Sequence, residues 1–255
     1  MKHLVVICHP RRKSFTQAIA KSYVQAVEAL GNEVVVRDLY RLHFDPILGE
    51  GELLDAKKRV TSRAVRTEQR HVSEAGAIAF FYPLWWAFMP AMLKGYFDRV
   101  FSCGFAYDFR GDDIVPLLSG KKALIFTSSG ASMTDLRRSK QWHAMRVLEE
   151  DNLLSLCGME LVEHVHLPSI RPGLTLQAAE KHFDAVRPAV EKHWGAQPAS
   201  PGRPACGPRG PHSARASWFG RAYFVGWRPH QCGLLSAAGR RCHWCGMLVA
   251  ASQGG

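Results

Sequence analysis

The sequence predicts an α/β fold, a doubly wound five-stranded parallel sheet of order 2-1-3-4-5 over residues 1–195, with a disordered basic tail over residues 196–255. Three observations predict it. Short continuous apolar runs, LVVIC at residues 4–8 and AIAFFY at 77–82, have the pattern of strands buried on both faces. Each run leads through a loop into a segment with helical periodicity, so strand and helix alternate along the chain. From about Ala196 the composition turns abruptly to QPASPGRPACGPRGPHSARAS, dominated by Gly, Pro, Arg, Ala and Ser and without apolar periodicity.

Each element follows in order. After the first strand, Phe15, Ile19, Tyr23, Val27 and Leu30 recur at helical spacing, and Gly31 ends that helix. VVVR at 34–37 makes the second strand, AIAFFY the third, KALIFT at 122–127 the fourth and ELVEHVHL at 160–167 the fifth. Helices are expected over about 62–75, 90–102, 136–155 and 175–193, with Pro90 opening the second of these and Met89, Leu93, Tyr96 and Val100 forming its buried stripe.

At 255 residues and 47% hydrophobic content, the chain can bury a full core. It has no run of roughly 18 apolar residues, which argues against membrane insertion. The opening MKHLVVICHPRRKSF has too short an apolar run for a secretory leader and carries its charges on the wrong side, so a cytoplasmic protein is expected. Seven arginines with no lysine and no acid in residues 196–255 supply +7 of the formal net charge of +11. Those arginines offer charge but no folded motif, so no specific nucleic-acid binding is expected. Arginine without lysine or acid is also what an out-of-frame reading of a GC-rich gene produces; sequencing the locus tests this, and an intact frame to the last codon sinks it. The tail holds a lone CHWC at Cys242–Cys245, which lacks the second pair that structural zinc uses, and no metal is expected.

In a sheet of this order, ligands bind beyond the carboxyl ends of the strands, at the switch between the first and third. Two loops meet there: HPRRKSFT, His9 to Thr16, and PLWWAFMP, Pro83 to Pro90. The first lacks the glycines that a dinucleotide fingerprint needs. It offers instead the hydroxyls of Ser14 and Thr16, the amides that open a helix and the His9 imidazole, which together make an anion site; Ser14 would serve equally as a plain helix cap. In the second loop, Trp85, Trp86 and Phe88 can surround a flat ring, or pack beneath neighbouring helices as large aromatics often do. The fourth strand ends in TSSGAS, Thr127 to Ser132, whose amides and hydroxyls can wrap a polar ring edge. Together the three loops point to a flavin rather than a nicotinamide as the resident ring.

The segments HPRRKSFTQAI, VVVRDLYRLHFDPIL, FYPLWWAFMPAMLKGYFDRVFSCGFAYDF and FTSSG, in this order, resemble the flavodoxin-like NAD(P)H:quinone oxidoreductase family. That resemblance implies a flavodoxin-like fold and two-electron reduction of quinones by NAD(P)H through flavin N5, in a ping-pong scheme. It makes His9, Ser14, Phe15 and Thr16 phosphate and ribityl contacts. Pro83, Leu84, Trp85, Trp86 and Ala87 become the wall beside the isoalloxazine, and Thr127, Ser128, Ser129 and Gly130 hold its pyrimidine edge. Tyr107, with Phe109, lines a substrate pocket reached from the partner subunit of a homodimer. The implied cofactor is FAD, with FMN as the alternative. Where mammalian members carry a tyrosine and a histidine that help to stabilise charge on the reduced flavin, this chain has Thr134 and Lys140; His143 is the candidate substitute. Two other roles stay open within the resemblance: an ancillary regulatory flavoprotein of a potassium-efflux transporter, and a flavodoxin-like electron carrier. Carriers tend to be acidic, and the mildly basic core weighs against the second.

Overall fold

The computed structural model describes residues 1–54, 61–111 and 113–195; the expectations for residues 196–255, both the disordered tail and the CHWC motif, lie outside the described residues. Five strands, β1 (Lys2–Ile7), β2 (Glu33–Asp38), β3 (Ala77–Pro83), β6 (Lys122–Ser128) and β7 (Glu160–Leu167), pair in parallel in the order β2-β1-β3-β6-β7. A separate antiparallel ribbon joins β4 (Tyr107–Arg110) to β5 (Asp113–Pro116). With the ribbon set aside, the sheet has the expected 2-1-3-4-5 order.

The two-residue period of each strand divides the core in two. Leu4, Val6, Ile78, Phe80 and Tyr82 face one layer, where α3 (Arg63–Glu74) supplies Val65 and Val72 and α4 (Ala91–Val100) supplies Leu93, Tyr96, Phe97 and Val100. Val5, Ile7, Ala79, Phe81, Leu124 and Phe126 face the other, covered by Ile19, Tyr23 and Val27 of α1 (Phe15–Ala29) and by Val186 and Val190 of α8 (Val186–Trp194). Phe81 and Phe126, on neighbouring strands, stack at 4.6 Å with planes 5° apart. Such a pair adds about 0.5–1.5 kcal/mol beyond its area. The segment before α2 (Glu50–Leu54) is pressed onto α4 at Gly95, where a Cβ would stand 2.1 Å from the Pro46 carbonyl oxygen. Only glycine fits there.

The structure departs from the sequence expectations in five places, the first being the short α2, which was not expected. The helix expected over 136–155 is broken into α5 (Met133–Arg138), α6 (Gln141–Arg146) and a π-helical segment (Val147–Leu154), because Lys140 takes a left-handed conformation at φ 61° between the first two. The helix expected over 175–193 is two, α7 (Leu176–Phe183) and α8, joined through Asp184 and Ala185. Leu30, placed on the buried stripe of α1, is its C-cap and is exposed; the stripe ends at Val27, one turn earlier. The β4–β5 ribbon was not expected, since four-residue strands carry too little alternation to be read.

Candidate functional site

The strands that matter end level with one another. Ile7 of β1 pairs with Phe81 of β3, and Phe81 pairs with Phe126 of β6, so the loops after these three strands emerge side by side. They are tied together. The Leu84 amide donates to the Ser128 carbonyl at 2.7 Å, joining the second loop to the third. The His9 and Trp85 rings approach to 6.2 Å, joining the first to the second. Phe15, Thr16, Thr127 and Ser128 line one small crevice with Tyr82, joining the first to the third.

In the first loop, Ser14 does cap α1: its hydroxyl accepts from the Gln17 amide at 3.2 Å. The cap leaves the Phe15 and Thr16 amides in the first turn, where an α-helix has no carbonyl to offer them. His9 is half-buried, its Nδ1 accepting from the Arg11 amide at 3.0 Å, and partial burial lowers its pKa. Arg11, Arg12 and Lys13 are exposed around it, and Arg41 donates to the Pro10 carbonyl. The result is a helix N-terminus ringed by cations, suited to a phosphate.

The second loop is a closed turn. Trp85 and Phe88 exchange both backbone bonds, at 3.0 and 3.1 Å, and the two residues between them, Trp86 and Ala87, both have positive φ, 55° and 57°. Neither is glycine, so the turn holds strain of about 1–2 kcal/mol per residue. As at the two central positions of any such turn, the Trp86 and Ala87 amides have no backbone acceptor among the described residues. Trp86 is fully exposed at 101%, while Trp85 is 41% exposed and leans on His9.

The third loop inverts the expectation for its side chains. Thr127, Ser128 and Ser129 are buried, and the hydroxyls of Thr127 and Ser129 are held from behind by β7. Thr127 Oγ1 lies 2.8 Å from His164 Nε2 and 2.8 Å from His166 Nδ1, and Ser129 Oγ lies 3.1 Å from His166 Nε2. What this loop presents outward is Gly130, where even a Cβ would come no closer than 3.7 Å to another residue.

Sequence reasoning missed the groups behind these loops. The π-helical segment carries two adjacent carboxylates, Glu149 and Glu150, and both are buried. Glu149 accepts from the Tyr82 hydroxyl at 2.6 Å, directly beneath the second loop, and burial pushes its carboxyl up to about 7. Burial alone would raise Glu150 too, but its bonds to His164, at 2.8 Å, and to Arg146 outweigh that and hold its pKa low. Trp142 lies over both histidines, 5.0 Å from the His164 ring and 5.1 Å from that of His166. The HVH of the fifth strand was the readable signal: two histidines two apart share a strand face, and His166 pairs in register with Thr127.

Two predicted residues are not brought to the three loops. His143 is exposed on α6. Tyr107 borders a different, open cleft of about 940 Å³, with Phe97, Phe101, Leu153 and Cys157, to which none of the three loops contributes. Its ring meets that of Phe109 edge-on at 5.8 Å, and Phe109 is exposed. Among the described residues no group of three or more His, Cys, Asp or Glu is placed to hold a metal ion, and no helix is long and apolar enough to cross a membrane.

Comparison with known proteins gives this geometry a context. An "Uncharacterized NAD(P)H oxidoreductase" of Haemophilus influenzae is 35% identical over 164 residues, 64% of this chain and 81% of that protein. NAD(P)H dehydrogenase [quinone] 1 of Cavia porcellus is 30% identical over 180 residues, 63% of this chain; the match spans 66% of that protein, so about a third of it has no counterpart in the alignment. Among solved structures, the NAD(P)H:quinone oxidoreductase from Methanothermobacter marburgensis superposes with a TM-score of 0.67 at 30% identity, covering 76% of this chain and 97% of its own. Residues 1–193 match the family described by its flavodoxin-like fold, and with the sheet order and the three loops at its switch point, the chain belongs to that family.

Proposed function

We propose that the chain is a flavin-dependent NAD(P)H dehydrogenase (quinone), residues 1–195 forming the flavin-binding domain. The observation that carries this reading is the Trp85–Phe88 turn, whose two left-handed non-glycine residues present a pair of open amides beside a helix N-terminus and a glycine loop. Strain of that kind persists only where the surrounding structure enforces it, and it clusters at functional sites. The donor set fits a flavin: amides and cations at one end for phosphate, amides and an indole at the other for a polar-edged ring. When bound, that ring would supply hydride chemistry, accepting at N5 from NAD(P)H and delivering two electrons to a quinone in alternate, ping-pong fashion.

The chain's residues do the rest. Phe15 and Thr16 amides, with Ser14 and His9, would hold the phosphate and ribityl chain. Trp86 and Ala87 amides would fix the N5 and O4 edge, Trp85 and Trp86 with Pro83 and Leu84 wall the ring, and the backbone from Thr127 to Gly130 would face the pyrimidine edge. Since the hydroxyls of Thr127 and Ser129 are engaged behind the loop, their part is to hold that backbone still. FAD is the cofactor we favour, FMN the alternative. Tyr107 and the exposed Phe109 would reach the site from the second subunit of a homodimer, which accounts for their place outside the three loops of their own chain. Mass and absorbance of the cofactor released from purified protein, followed by NAD(P)H oxidation with and without a simple quinone, test the reading. Flavin uptake with quinone-stimulated oxidation is expected. Flavin uptake without such stimulation would favour the transporter-subunit or carrier role, and a protein that takes up no flavin overturns the proposal.

A further inference from the structure

A continuous chain of hydrogen bonds runs behind the third loop, from Glu150 through His164, Thr127 and His166 to Ser129, with successive distances of 2.8, 2.8, 2.8 and 3.1 Å. Its direction follows from counting protons. An ionised Glu150 only accepts, so His164 must donate from Nδ1, which leaves Nε2 of a neutral imidazole as an acceptor. Thr127 has one hydroxyl proton and gives it to His164 Nε2, so its oxygen must accept from His166, whose proton therefore sits on Nδ1. His166 Nε2 is then the free acceptor, facing Ser129 Oγ. That hydroxyl has two uses for its single proton, His166 Nε2 at 3.1 Å or the Ala131 carbonyl at 3.0 Å.

We infer that Glu150, through His164 and Thr127, fixes the tautomer of His166 so that Nε2 is a ready proton acceptor behind the Ser129–Gly130 loop, and that His166 takes up a proton from solvent when negative charge arrives there. With that proton on Nε2, His166 donates to Ser129, Ser129 donates to Ala131, and every member of the chain is satisfied; one proton is gained and no other covalent bond changes. This rests on the flavin reading, because the charge in question is that gained on the pyrimidine side of a ring held at the loop. His166 is thereby a positioning residue for charge, filling the task for which His143 was the sequence candidate.

The surroundings suit an acceptor kept neutral at rest. Burial, then the neighbouring His164 and His182, lowers the His166 pKa to about 4. The ionisable groups around the chain are Arg146 and Glu150 from the segment running from α6 into the π-helix, Glu149 beside Glu150, His164 on β7, His182 from α7 and, at the outer side of the loop, Arg171, which donates to the Gly130 carbonyl. Only Glu150 is hydrogen-bonded into the chain, so it alone sets the direction. His166 keeps partial exposure, which gives the proton a route from solvent, and Trp142 shields both rings from above.

Nitrogen-15 NMR of the histidines in the flavin-free full chain tests the direction of the chain. His164 and His166 are both expected as the Nδ1–H tautomer near neutral pH, with His166 becoming a mixture in Glu150→Gln and in the near-isosteric Thr127→Val. An Nε2–H tautomer for His166 in the wild type, or no response to either substitution, overturns the inference. The second measurement is the midpoint potential of bound flavin against pH in the wild type and in His166→Gln. Loss of the compensating proton should weaken binding of the reduced relative to the oxidised form about tenfold, a potential lower by about 30 mV for a two-electron couple. Equal potentials at every pH with flavin fully bound overturn the role of His166 and leave the proposed function standing. A chain that takes up no flavin overturns that function and the task given to His166 with it, while the tautomers still report whether the chain is polarised.

Discussion

The loops after β3 and β6 leave the sheet side by side, tied by one backbone bond of 2.7 Å, and face the same site by opposite means. The turn at Trp85–Phe88 puts its largest side chain wholly into solvent and stores strain in its backbone. The loop at Thr127–Gly130 buries its side chains, commits the Thr127 and Ser129 hydroxyls to β7 and exposes a glycine. One loop makes its contacts with what it exposes and the other with what it holds still. Substitutions should separate accordingly, costing binding in the first and stability in the second.

The largest expected effect is at Thr127. Thr127→Val keeps the volume but leaves His164 Nε2 and His166 Nδ1 without their partner, and an unsatisfied buried polar group costs about 1–3 kcal/mol. A stability loss of roughly 2–4 kcal/mol by chemical denaturation is expected, with flavin affinity falling less than tenfold. Loss of flavin binding with unchanged stability would mean that the hydroxyl faces the ligand after all.

Acid should strike the same loop. The His166 pKa is lowered to about 4 from an ordinary 6.5, so the unfolded chain binds more protons than the folded one between those values. The stability from keeping this imidazole neutral is present above pH 6.5 and is lost as pH falls toward 4. Allowing for its partial exposure, about 1–2 kcal/mol is expected as the difference between wild type and His166→Gln across that window. Glu149 acts with the opposite sign, because its pKa is raised to about 7: its contribution is present below pH 4.5 and lost as pH rises through 7. Glu149→Gln should therefore remove a decline between pH 4.5 and 7. Because the two contributions oppose each other in the wild type, each is read as the difference from its own variant, and a difference that stays constant from pH 4 to 8 counts against that shift.

The same contrast explains what could be read from the sequence. The first and third strands were legible as continuous apolar runs and the others as short β-branched or apolar segments placed between helices, and the order followed from the alternation of strand and helix. The three loops were legible because residues at strand ends must face the switch point. The buried carboxylates were not, because adjacent glutamates in VLEEDNLL read as the solvent face of a helix, and nothing local shows that Tyr82, His164 and Arg146 await them. The break at Lys140 was hidden for a related reason: nothing in local propensity favours a left-handed lysine, so tertiary packing decides it. The hydroxyls of TSSG were expected to face a ligand, whereas those of Thr127 and Ser129 bond to β7, since the sequence does not show which face of the loop the fifth strand occupies.

The exposed turn offers the next effect in size. Trp86→Ala removes a side chain that touches little of its own protein, so stability should change by less than about 0.5 kcal/mol, as for other surface sites. Flavin or quinone binding should weaken about tenfold, near 1.4 kcal/mol. Trp85→Ala should do the reverse, costing more stability through its contact with His9 and less binding. Equal loss of activity in both variants with flavin fully retained would deny that division of roles.

Ala87→Gly carries the smallest expected effect and addresses the strain itself. At φ 57° a Cβ is unfavourable, so glycine should stabilise the folded chain, by up to about 1 kcal/mol less the entropy glycine costs. If the strain serves to hold the Trp86 and Ala87 amides open toward the ring, a freer turn should bind flavin a few-fold more weakly even as the protein grows more stable. Opposite signs in denaturation and flavin titration are therefore the expected outcome. A variant that loses stability would show that the turn is not strained at Ala87, and one that gains stability with unchanged affinity would leave the strain without a function in binding.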